Sequence, residues 1–143
     1  MGRTIAWATL VAGTLDILSA FVWSGAVASV LRTVASGPFG DSAAESLLGV
    51  PLGLGVHFAI MAIMAAVYVI AASRVPALAR HWAVAGLLYG VALWIVMYGI
   101  VIPLRWPGAP SREPLAIAQQ LISHCLLVGL PIAWIARSRG ART

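Results

Sequence analysis

Asp16, His57, Tyr98 and His124 are the side chains of this 143-residue sequence best placed to do chemistry, because each lies inside a strongly apolar run. A carboxylate, two imidazoles and a phenol at membrane depth can relay protons, tie helices together or ligate a metal. Asp16 stands in GTLDILSA, residues 13–20, in a chain with only four acidic residues. A charge at the centre of a membrane helix costs about 3 kcal/mol on insertion scales, so such a residue is expected to face the other helices and find a partner. His124 is the natural partner: its N–H can donate to the carboxylate, or a protonated carboxyl can donate to the ring.

Helical spacing groups these residues on faces, since positions three, four and seven apart share one side of a helix. One stripe runs Thr9, Ala12, Asp16, Ser19 and Trp23, and a second runs Gly53, His57, Met61, Met64 and Tyr68. In a third, Gly86 and Gly90 form a G-x-x-x-G step that allows close helix approach, with Trp94 and Tyr98 beyond it. The fourth is Gln120, His124, Val128 and Pro131. A bundle that buries these four faces brings Asp16, His57, Tyr98 and His124 into one polar core, with Ser19 and Gln120 as supports. The plainer reading is that they are helix glue, because interhelical polar contacts contribute about 0.6 kcal/mol on average.

The elements that must carry these faces are membrane helices. The chain is 62% hydrophobic and 9% charged, whereas soluble domains carry about 25% charged residues, too many for a chain like this one to match. Four apolar stretches, roughly 5–31, 52–73, 82–104 and 115–136, each have the ~20 residues that cross a bilayer core. They lack the alternation of a membrane barrel. The expected fold is therefore all-α, a single domain of four transmembrane helices in a compact antiparallel bundle. Asp16 interrupts the first run, which favours a span over a cleaved signal peptide.

The loops add detail. Gly37, Pro38 and Gly40 are expected to break the first helix's continuation, and Ser42 and Glu45 have capping-box spacing, which predicts a short interfacial helix over about 42–48. Trp7, Trp23, Trp82, Trp106 and Trp134 fall near span ends, as an aromatic belt does. With the N-terminus inside, Arg3, Arg74, Arg80, Arg137, Arg139 and Arg142 lie on the cytoplasmic side and Arg32, Arg105 and Arg112 opposite. The positive-inside rule thus places both termini in the cytoplasm.

Several functional readings follow. Proton-linked transport of a small solute or ion uses the Asp/His core directly, and a chain this small would need a dimer to enclose a path. A non-catalytic accessory or scaffold subunit of a larger membrane complex would use the helix faces instead. In a third reading, His57 and His124 ligate a b-type haem, or with Met61, Met64 and Cys125 hold copper. The single cysteine excludes a disulfide framework. The dispersed arginines argue against nucleic acid. No nucleophile–base motif, phosphate loop or carboxylate pair points to an enzyme, which leaves lipid-modifying chemistry at His57 or His124 as the one enzymatic reading open.

The segments AGTLDI, VLRTVASGPFG, LGLGVHFAIM, GLLYGVALWIVMYGIVIPL and HCLLVGLPIA together resemble a group of small uncharacterised bacterial inner-membrane proteins of four helices. The resemblance spans nearly the whole chain and contains all four polar-core residues. It implies a multi-pass protein of the bacterial cytoplasmic membrane and carries no activity with it.

Overall fold

A computed structural model describes residues 1–109 and 111–140. These residues are 88% helical, with no strand among them. Four helices are long and apolar enough to cross a membrane: Gly2–Ser24, Gly49–Arg74, Trp82–Arg105 and Pro114–Ser138. Arg142, counted above on the cytoplasmic side, lies outside the described residues.

In chain order the elements are α1 (Gly2–Ser24), α2 (Val27–Phe39), α3 (Asp41–Glu45), α4 (Gly49–Arg74), α5 (Pro76–Arg80) and α6 (Trp82–Val96). A π-helical segment, Met97–Val101, joins α6 to α7 (Ile102–Arg105). Then α8 (Pro114–Ile122) passes through a second π-helical segment, Ser123–Gly129, into α9 (Leu130–Gly140).

The first long helix is shorter than the apolar run that encodes it. Instead of continuing to residue 31, α1 stops at Ser24, because Gly25 adopts the left-handed conformation at φ 64° and returns its N–H to the Phe21 carbonyl. This moves the helix centre to Gly13 and leaves Asp16 about 4.5 Å from it, toward the Ser24 end. The apolar residues 27–31 belong instead to α2, which buries Leu31, Ala35 and Ser36. That helix packs on α4 so closely that a Cβ on Gly53 would fall on the Leu31 carbonyl oxygen. Pro38 is accommodated inside α2, and the break comes after it, at Gly40.

The capping box does not form. The short helix begins at Asp41 with Gly40 as its cap and no side-chain cap bond, so Ser42 already lies inside it. Arginines hold this region instead. Arg32 Nη1 donates to the Ala44 and Ser46 carbonyls at 2.8 and 3.0 Å. Arg105 Nε donates to the Ser36 carbonyl at 3.1 Å, and its Nη2 pairs with Asp41 at 2.8 Å.

The Pro114–Gly140 rod is central, packing against α1, α4, α5 and α6. Small residues permit this: Ala8, Ala12, Ala65 and Ala133 are fully buried, with Met61, Tyr68, Val69, Val128 and Ile132 filling the space between them. α6 and the second π segment also approach closely. A Cβ on Gly90 would meet the His124 carbonyl oxygen and lie 2.5 Å from Cys125 Cα.

Candidate functional site

Asp16 is held from across the helix interface by a residue the spacing argument overlooked. Ser123 Oγ donates to Asp16 Oδ1 at 2.6 Å, and Ser19 Oγ lies 2.9 Å from Ser123 Oγ and 2.8 Å from the Asp16 carbonyl oxygen. A hydroxyl has one proton and two acceptor positions. When the carboxylate is ionised, Ser123 spends its proton on Asp16, and Ser19 can donate to Ser123. When the carboxyl is protonated, it donates to Ser123, Ser123 donates to Ser19, and Ser19 donates to the Asp16 carbonyl. The same three oxygens therefore satisfy both protonation states without moving.

His124 is one residue along the same rod and 8% exposed. It does not take the direct bond to Asp16 that its depth suggested; its Nδ1–H donates to the Gln120 carbonyl at 3.0 Å. That anchor leaves Nε2 as the nitrogen able to gain or lose a proton. The Tyr98 ring meets the His124 ring edge-on at 5.5 Å between centroids. On its other side Tyr98 stacks with Trp94 at 6.2 Å, and Trp94 Nε1–H donates to Gln120 Oε1 at 3.2 Å.

These groups surround a cavity of about 190 Å³ lined by Asp16, Ser19, Trp23, Tyr98, Gln119, Gln120, Ser123 and His124, with Ala20 and Ala116. A larger cleft of about 500 Å³ shares Tyr98 and Gln120 with it and reaches Ser111 and Arg112 in the loop before α8. The structure thus gathers Asp16, Tyr98, His124, Ser19 and Gln120 around one space.

His57 is elsewhere. Its Nε2–H donates to the Gly13 carbonyl at 2.8 Å, across the α1–α4 contact, and its ring meets Phe58 edge-on. It does not line the Asp16 cavity. Met61 and Met64 are packed in the apolar core, and Cys125 is half-buried, with its backbone against Gly90. Among the described residues, no three His, Cys, Asp or Glu side chains are grouped to hold a metal ion.

Three of the site's residues lie in the two π-helical segments. Tyr98 lies in one, and Ser123 and His124 lie in the other. Each segment ends two residues before a proline, Pro103 or Pro131, whose ring crowds the carbonyl four residues back. Widening the preceding turn relieves that crowding. Ser123 and His124, three and four residues beyond Gln120, lie on its side of the helix and line the cavity with it. The three-residue step from Gln120 was the available signal for Ser123.

No protein-family model matches the chain, and neither a curated protein nor a solved structure does.

Proposed function

We propose that this chain is a multi-pass protein of a bacterial cytoplasmic membrane, an antiparallel bundle with both termini in the cytoplasm, in which Asp16 takes up and releases a proton coupled to passage of a small solute or ion. The observation that carries this reading is the Ser19–Ser123–Asp16 chain, satisfied in either protonation state. A purely structural carboxylate needs only one. His124 Nε2 is the second proton carrier, and Tyr98 and Gln120 stand where the small cavity meets the larger cleft. The cleft is the route from the loop side, and two copies of the chain would complete the path.

The test is protein-dependent proton movement in liposomes. Wild-type protein carries protons when a membrane potential is imposed, and Asp16→Asn does not. Equal movement in both proteins contradicts the proposal.

An accessory subunit of a membrane complex is the second reading, favoured by the Trp82–Arg105 span. Only 11% of its most apolar window is buried within the chain, against 28–33% for the other three spans. That face takes lipid or a partner helix. Native mass in mild detergent separates a self-contained monomer or dimer from a protein that co-purifies with another chain.

A further inference from the structure

A second feature lies where α1 begins and α9 ends, away from Asp16. There α1 and α9 flank an open groove of about 440 Å³. Arg3 and Arg137 border it, and Trp7, Val11, Trp134 and Ile135 form its walls. Trp7 and Trp134 are 61% and 52% exposed, so the walls are bare indole rather than packed core. Arg137 is already oriented: its guanidinium carbon sits 4.8 Å from the Trp82 ring centroid and 5.4 Å from that of Trp134. Stacking uses the faces of a guanidinium and leaves its N–H edge to bind oxygen atoms bidentately. Among the described residues no Asp or Glu side chain borders the groove.

We propose that this groove binds the headgroup of an anionic phospholipid, its phosphate between Arg3 and Arg137 and the start of an acyl chain along Trp7, Val11, Trp134 and Ile135. Basic pockets between membrane helices, rimmed by interfacial aromatics, bind such headgroups. The walls decide between lipid and free phosphate: a phosphate ion uses the arginines alone and leaves the indoles in contact with water, whereas a lipid covers both. This inference does not depend on the transport reading, because the groove shares no residue with the Asp16 cavity.

The experiment uses the full chain in mild detergent, titrated with phosphatidylglycerol or phosphatidylcholine carrying brominated acyl chains, with tryptophan fluorescence as the readout. Brominated phosphatidylglycerol quenches at low mole fraction and phosphatidylcholine does not. Arg3→Gln and Arg137→Gln each shift half-maximal quenching by about fivefold, Arg137→Lys restores only part of it because an ammonium lacks the flat bidentate edge, and Arg112→Gln, in the cleft near the other site, changes nothing. Excess inorganic phosphate at constant ionic strength leaves the quenching in place. Equal quenching by the two lipids, unshifted arginine variants, or displacement by phosphate each overturns the assignment. Arg3 is exposed, so Arg3→Gln carries the test even if an Arg137 variant does not fold.

Discussion

Ser123 Oγ lies 2.6 Å from Asp16 Oδ1, so a hydroxyl on the last of the four long helices meets a carboxylate on the first. Removing Ser123 takes from the carboxylate the hydroxyl that meets it, whereas Ser123 without the carboxylate still has Ser19 Oγ at 2.9 Å. Ser123→Ala is expected to destabilise the protein by about 1–2 kcal/mol. Thermal unfolding in detergent measures this. A double-mutant cycle with Asp16→Asn returns a coupling of at least about 0.6 kcal/mol, where zero coupling means the two do not interact.

His57 and His124 should separate cleanly. His57 donates to the Gly13 carbonyl and is outside the Asp16 cavity, so His57→Leu costs about 1 kcal/mol of stability and leaves proton movement intact. His124→Leu removes the ring that Tyr98 faces and slows proton movement at least tenfold. A His57 variant as impaired as the His124 variant would return His57 to the site.

Two glycines test the close packing that positions His124. A Cβ on Gly90 meets the His124 carbonyl and Cys125 Cα, both of them backbone, so Gly90→Ala is expected to cost about 1–3 kcal/mol. Gly55 sits within α4 with nothing within 4 Å of the added atom. Gly55→Ala is expected to be neutral or to stabilise by about 0.5–1 kcal/mol. Melting temperatures of the two variants must move in opposite directions, or Gly55 not at all.

The arginine that ties the loop ends is a graded case. The Arg105–Asp41 pair is exposed, the Asp41 side chain 74% so, and Asp41→Ala should change stability by less than about 1 kcal/mol. Arg105→Ala also strips the donor from the Ser36 carbonyl, on a residue 5% exposed, and the cation from the Trp106 ring. It should cost about 1 kcal/mol more than Asp41→Ala. Equal effects would show that the ion pair carries the whole contact.

How far the sequence could be read depended on which physical signal each feature left. Apolar length is a strong signal, and the four helices long enough to cross a membrane correspond to four apolar runs. The lower end of the first run was hidden, because residues 26–31 stay apolar while Gly25 turns the chain by a backbone angle that hydropathy does not register. Regular helical spacing placed Asp16, Ser19, Tyr98, Gln120 and His124 on faces that do line one cavity. It placed His57 there too, because depth along a helix says nothing about which neighbour the side chain meets. Ser123 was missed because the stripe was drawn through His124, four residues beyond Gln120, although a residue three beyond it shares that face. Pairing Asp16 with His124 followed from depth alone, and it could not foresee that a shorter hydroxyl from the adjacent residue would reach the carboxylate.

The central claim is that Asp16 exchanges protons, and one measurement addresses it most directly. Wild-type, Asp16→Asn and His57→Leu proteins are reconstituted into liposomes holding a pH-sensitive dye, and a potassium diffusion potential is imposed. The account predicts rapid internal acidification with wild-type and His57→Leu protein, and the rate of empty liposomes with Asp16→Asn. Acidification by Asp16→Asn at the wild-type rate, or a wild-type rate no faster than that of empty liposomes, contradicts it.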